Sequence, residues 1–338
     1  MGIIKDSLTF DDVTLIPSFS SILPSETITT TDLGQKLRLK IPLMSSAMDT
    51  VTEAKMAIAL SKAGGLGVIH RNLSIERQVK EVKKVKRSKC IVGAAIGVSE
   101  KDLERAIELN KANVDLLIID TAHGHTTKVS KMIKNVKKKI NRVNLCAGNI
   151  ATGKAAKFLA DSGADIVKVG IGPGSICTTR LVAGIGVPQL SAIIDVKKSL
   201  RNYKTKIISD GGIKFSGDLA KGLAAGADCI MIGSLFSGTN ESPGKIIKIK
   251  GKLYKNFRGM GSVGAMSVGS SDRYYQKRYK DISKYVPEGV EGLVKYKGQV
   301  SKIIYNLVGG LKSSMGYLGS KKIKDLQKNG EFVKITKA

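Results

Sequence analysis

The sequence predicts an α/β protein built as a (β/α)8 TIM barrel, with a long flap or lid inserted after strand eight. Three observations carry this. Eight short apolar runs recur roughly every 23–27 residues, apart from one gap of about 40. The segments between them carry apolar residues at helical spacing, so strands and helices alternate. The chain also repeats itself: "AIELNKANVDLLIID", "AAKFLADSGADIVKVG" and "LAKGLAAGADCIMIG" each read as helix, tight turn around Gly or Asn, Asp, then buried parallel strand. A doubly wound sheet would want G-x-G-x-x-G after its first strand. Here Gly170, Gly172 and Gly174 have the wrong spacing and follow the sixth.

Taken in order, the strands are "IPLMSS", "GLGVIH", "VGAAIG", "LLIID", "NLCAGN", "IVKVG", "IISDGG" and "IMIGS". "MAIALSKAGGLGVIH" is a looser copy of the helix–turn–strand unit around strand two. Small and polar residues gather at the C-terminal ends, where barrels of this class keep their chemistry. These are Ser45 and Ser46 after strand one, Asp120 to His125 after four, and Asn149 after five. "GIGPGSICTTR" follows six, Asp210 to Gly212 follow seven, and Gly233 and Ser234 follow eight. About 65 residues then separate strand eight from the apolar-periodic "VSKIIYNLVGGL", a length that marks a lid or binding segment. One domain, 1–338, accounts for the chain, with the flap and a finger-like insertion at about 240–300.

Composition narrows the function. The net charge is +28. Its lysines are spread over the helices, as in "KEVKKVKRSK" and "KMIKNVKKKI". They form no single arm, and aromatics are 5% with no Trp, so base-stacking platforms are poorly supplied. A lysine-biased surface that attracts small anions fits better than a nucleic-acid binder. No apolar stretch is long enough to span a membrane, and "MGIIKDSLTF" is no signal peptide. Four cysteines without C-x-x-C spacing point to a reducing cytoplasm, not to disulfides or zinc. Only His123 and His125 are close among three histidines, too few for a metal centre.

The loops after strands seven and eight, "SDGGIK" and "IGSLFSG", suit a phosphate, because glycine lets amide N–H groups approach an anion and Ser234 adds a hydroxyl. Ser175 could add another. Cys90, Cys146 and Cys229 lie in or beside strands and read as buried hydrophobes. Cys177 sits in the loop of the one long strand-to-helix gap, near amides that favour a thiolate. From spacing alone two readings stand: a covalent nucleophile facing a phosphate ester, or another small core residue.

"LTFDDVTLIP", "SSAMDTVTE", "DTAHGH", "VGIGPGSICTTR", "SDGGIKFSGD", "FRGMGSVGAM", "DRYYQ" and "VPEGVEG" together resemble the IMP dehydrogenase/GMP reductase family, from about residue 7 to 335. "RLVAGIGVPQ" after the cysteine, and the pair Arg273-Tyr274, resemble its dehydrogenase branch; the NADPH-dependent GMP reductase is the alternative. A non-catalytic nucleotide or nucleic-acid binding protein is the alternative of another class. The resemblance implies NAD-dependent oxidation of inosine 5′-monophosphate (IMP) to xanthosine 5′-monophosphate for guanine nucleotide biosynthesis. The Cys177 thiolate would attack purine C2. Arg273, helped by Tyr274 and Thr179, would then activate water against the adduct.

It further implies substrate contacts from Ser46, Met48, Ser175, Asp210, Gly212, Gly233, Ser234, Gly259, Met260, Gly261 and Glu288. Asp120, Thr121, Asn149, Gly170 and Gly172 would face NAD. The carbonyls of Gly172, Gly174 and Cys177 would hold K+, and the enzyme would be a homotetramer. The chain departs from the family pattern in three places. Phe257 stands where many members have a tyrosine that helps bind the phosphate. The regulatory CBS modules are reduced to a short linker near 86–91. No tail follows "FVKITKA" to complete a neighbour's potassium site.

Overall fold

The computed structural model describes residues 6–34, 37–140 and 142–336. Eight parallel strands form a closed barrel: β1 (Leu43–Ser45), β2 (Leu66–Ile69), β3 (Val92–Ile96), β4 (Leu116–Asp120), β5 (Asn144–Ile150), β6 (Ile166–Val169), β7 (Lys206–Asp210) and β8 (Cys229–Ile232). Each neighbours the next in sequence, and β8 closes the ring against β1 with Ile232 opposite Ser45. All eight predicted runs are therefore barrel strands. Seven helices alternate with them: α1 (Ala54–Lys62), α2 (Ile75–Arg87), α3 (Glu100–Lys111), α4 (Thr127–Lys139), α5 (Gly153–Asp161), α6 (Gln189–Ser199) and α7 (Ser216–Ala224). The eighth, α8 (Val300–Tyr317), packs against α7 and α1 and completes the outer layer.

The sequence repeat has a mechanical reason. Asn113, Gly163 and Gly226 end their helices with φ of 60°, 105° and 117°, the left-handed conformation that Gly and Asn tolerate. The Asp two residues further on ties the turn to the neighbouring strand. Asp115 accepts the N–H of Val92, Asp165 that of Leu145, and Asp228 that of Ile207, each at 2.8 Å. Those N–H groups start β3, β5 and β7, so each copy fixes the strand behind it.

Helix faces follow the same logic. In α2, Ser74 caps the N-terminus by accepting the Arg77 N–H, and Gln78, Val82 and Val85 face inward. Lys80, Lys83 and Lys84 stay exposed. The lysine runs are thus solvated helix faces. Between α2 and β3 only Ser88–Ile91 intervene.

The core has two parts. One lies between barrel and helices and includes Met56, Leu60, Val82, Leu109, Ile133 and Leu159. The other fills the barrel interior with Met44, Leu66, Ile118, Cys146, Ile208 and Cys229. A hairpin from Thr31–Asp32 and Arg38–Leu39 delivers Leu33, Leu37 and Leu39 into that interior cluster. Two further features lay outside the sequence reading. Val13–Leu15 pairs antiparallel with Phe332–Lys334, tying the chain's ends together. The long insertion after β8 is partly a sheet, with Ile247–Ile249, Lys252–Arg258 and Glu291–Lys295 antiparallel.

Candidate active site

At the C-terminal rim of the barrel lies a cavity of about 550 Å³. The ends of β1, β4, β5, β6, β7 and β8 open into it, together with the insertion. The expected site residues largely converge there. Ser46, Met48, Asp120, Asn149, Gly170, Gly172 and Gly174 line it, as do Ser175, Cys177, Asp210, Gly212, Gly233 and Ser234. From the insertion come Gly259, Met260, Arg273, Tyr274 and Glu288.

Three expected residues stand behind the lining. Thr121 is buried and donates its hydroxyl to the Gly148 carbonyl at 2.8 Å. Thr179 is buried beside Cys177. Gly261 backs the Tyr274 ring, where a Cβ would lie 2.7 Å from Cζ. Only glycine allows that ring to lie so close.

Cys177 is half-buried on the rim, and its thiol is 3.3 Å from the Thr179 hydroxyl. Backbone hydrogen bonds fix the loop that carries it. Cys177 N–H donates to the Gly174 carbonyl at 3.2 Å, Thr178 N–H to Glu288 at 3.0 Å, and Val290 N–H to Ile176 at 3.0 Å. The insertion thus forms one wall around the sulfur. Of the two readings left open by spacing, the packed-core one does not hold for Cys177. It does hold for Cys146 and Cys229, which are fully buried. Burial pushes the Cys146 thiol up to about 12 and that of Cys229 higher still, so neither forms a thiolate near neutrality.

The flap is docked. Arg273 is mostly buried, with 13% of its side chain exposed, and forms an ion pair with Asp120. Its carbonyl accepts the Ala122 N–H at 3.0 Å, and the Tyr275 hydroxyl donates to the His123 carbonyl at 2.6 Å. Arg71 on the loop after β2 pairs with Asp272 at 2.9 Å. Burial is the largest influence on the Arg273 guanidinium and lowers its pKa, against an opposing contribution from Tyr274 beside it. Tyr274 is raised above its ordinary value, chiefly by burial.

Sequence reasoning missed two features. Lys168 in β6 sends its ammonium among Asp120, Asn149 and Asp210. One Lys in an otherwise apolar run was the available signal. Arg258 grips Asp49 through two nitrogens, at 2.7 and 3.2 Å, and so ties the insertion to the loop after β1. Phe257, one residue earlier, is buried and brings an apolar ring to the lining. Among the described residues no group of three or more His, Cys, Asp or Glu could hold a metal. No helix there is long and apolar enough to cross a membrane.

A family model described as "IMP dehydrogenase / GMP reductase domain" matches residues 7–338. The chain belongs to the IMP dehydrogenase/GMP reductase family. It is therefore an enzyme of the oxidoreductase class. The chain is 48% identical to the inosine-5′-monophosphate dehydrogenase of Borreliella burgdorferi, over 99% of this chain and 95% of the relative. It is 46% identical to the inosine-5′-monophosphate dehydrogenase of Cryptosporidium parvum, over 98% and 93%. A Bacillus subtilis protein of the same name is 37% identical over 462 aligned positions, covering 99% and 94%. That alignment is longer than the 338 residues of the chain, so the Bacillus relative carries a large insertion that this protein lacks.

Proposed function

We propose that this protein oxidises IMP to xanthosine 5′-monophosphate with NAD+ as acceptor, through a covalent bond to Cys177, and so serves guanine nucleotide biosynthesis. The observation that carries the reading is the placement of the Cys177 thiol on the cavity rim, facing the docked Arg273 and Tyr274. Members of the family named for this reaction share nearly the whole chain.

The residues suit the substrate end to end. Ser175, Gly212, Gly233 and Ser234 offer hydroxyls and close backbone to the phosphate. Asp210 accepts the ribose hydroxyls. Ser46, Met48, Gly259, Met260, Gly261 and Glu288 surround the base. The thiolate of Cys177 adds to purine C2, and the hydride on that carbon leaves. NAD+, when bound, accepts the hydride. The chain is then left with a thioimidate on Cys177. Water adds to C2, the C–S bond breaks, Cys177 departs as thiolate, and a proton goes to solvent. Arg273 Nε is buried without a hydrogen-bond partner among the described residues, while Nη1 is the nitrogen that meets Asp120. Nε is available to orient that water. Held charged by Asp120, Arg273 acts as a donor here, with the Tyr274 and Thr179 hydroxyls beside it.

The cofactor half fits NAD+ only with the flap away. Asp120 is the carboxylate for a ribose, and in the docked state Arg273 occupies it. Asn149, Gly170 and Gly172 complete that wall, with Thr121 steadying the strand end. Gly172, Gly174 and Cys177 would hold K+, since neutral carbonyl donors suit an alkali cation. Three donors are only part of a shell, so others would come from a second subunit. A homotetramer would also cover Leu181, which is 85% exposed just after the Cys177 loop. The chain is one catalytic domain, with its flap and finger at about 240–300. On this reading the short Ser88–Ile91 connection would stand in place of the regulatory modules expected of the family. Four free cysteines suit a cytoplasmic setting.

The test is absorbance near ~340 nm with each substrate pair. Growth with IMP and NAD+ is expected; activity only with GMP and NADPH would assign the reductase instead. Cys177→Ala should abolish turnover and retain IMP binding, and full activity in that variant would refute the covalent route.

A further inference from the structure

Strand β6 reads Ile166-Val167-Lys168-Val169, and Lys168 is as buried as its apolar neighbours, at 3% exposure. A lysine in such a place needs anionic partners. It has two, on strands either side. Its ammonium is 2.7 Å from Asp210 Oδ2 at the end of β7 and 3.0 Å from Asp120 Oδ1 at the end of β4. Asn149, on β5 between them, accepts from the same ammonium and donates to Asp210 Oδ2 at 2.9 Å. The second oxygen of Asp120 is the one that Arg273 holds.

Two carboxylates therefore share two cations while the flap is docked. With the flap away, Arg273 goes, and Lys168 alone remains to neutralise both. Its charge would then be drawn more toward Asp120, which leaves Asp210 less neutralised. A carboxylate with fewer competing donors accepts sugar hydroxyls better. We propose that Lys168 is a positioning residue that couples the substrate half of the cavity to the flap. It makes the substrate grip of Asp210 tighter when Arg273 is undocked and looser when Arg273 is docked. By linkage, a nucleotide held on Asp210 disfavours flap docking to the same extent. Capture would then occur with the flap open, and docking would ease release. The proposal rests on the reading of Asp210 as a substrate ligand.

The experiment is a double-mutant cycle on IMP affinity, measured by calorimetry in a Cys177→Ala background so that no chemistry intervenes. Four proteins are compared: the background alone, with Arg273→Ala, with Lys168→Met, and with both. Arg273→Ala is expected to tighten IMP binding about tenfold when Lys168 is present, and less than twofold when it is Met. An equal effect in both backgrounds, or weaker binding on loss of Arg273, overturns the coupling. Should Lys168→Met fail to fold, Asp120→Asn removes the carboxylate on which Lys168 and Arg273 meet. It is expected to erase the Arg273 effect as well, and persistence of that effect would overturn the proposal. No IMP binding in the background protein would instead sink the functional reading itself.

Discussion

Replacing Arg71 with alanine loosens the flap without touching the reacting groups. Arg71 meets Asp272 at 2.9 Å, one residue before Arg273. Two unit charges at that separation attract by about 6 kcal/mol at an effective dielectric of 20. Asp272 is 46% exposed, so water screens most of this and about 1 kcal/mol remains. That lowers the docked fraction of the flap about fivefold relative to the undocked one. The change also removes a repulsion inside the barrel's outer layer, because the Arg105 guanidinium, lowered chiefly by burial, is lowered further by the charge of Arg71. On the proposed mechanism hydride transfer takes place with the flap away, so its rate should not change. On the same mechanism hydrolysis needs Arg273 in place and should slow by up to about fivefold. Rapid mixing with saturating IMP and NAD+ should show an NADH burst of normal rate followed by a slower steady state. Equal slowing of both phases would refute the reasoning, and so would an unchanged steady state where hydrolysis limits turnover.

Phe257→Tyr should restore a hydroxyl at the phosphate end and lower KM for IMP about tenfold at unchanged kcat, since a bond to a charged group is worth about 1.5–3 kcal/mol; steady-state kinetics with the two proteins decides it. Iodoacetamide should modify Cys177 and spare Cys146 and Cys229, whose thiols are buried and raised, and IMP should protect Cys177; peptide mass mapping reads this directly. The Asp49 carboxyl is lowered below 3.8 because hydrogen bonds from Arg258 and Asn72 outweigh the opposing effect of burial. Its contribution to stability is therefore present above that unfolded value and is lost as pH falls through the lower folded one. Asp49→Asn should destabilise the protein at pH 7, and its difference from the parent should shrink only as pH falls below 3.8 and through the lowered folded value, as denaturant titrations across that range would show.

The barrel was legible because it repeats. Each copy had to place Gly or Asn at a left-handed turn and Asp at the next strand's entry, and Asp115, Asp165 and Asp228 carry the same bond three times. The parts without a repeat were not legible. Nothing in "TDLGQKLRL" announces a hairpin that plugs the barrel, because its Leu33, Leu37 and Leu39 find partners only once the ring is closed. The finger sheet was hidden for a related reason. "KLYKNFR" alternates too weakly to read as a strand, and its partner Glu291–Lys295 lies beyond the whole flap.

Much the same divide runs through the site. Cys177 could be singled out because a thiol in a Gly-Pro-Gly-Ser loop is out of place in any packing scheme. Lys168 occupied a strand whose neighbours explained themselves, and its partners Asp120 and Asp210 are 48 and 42 residues away. A buried cation is costly wherever it stands, so its retention in β6 asks for a return. The geometry locates that return where three strand ends and the flap meet. Local chemistry singled out the candidate nucleophile, whereas the surroundings of its thiol are set by contacts that exist only across the closed ring.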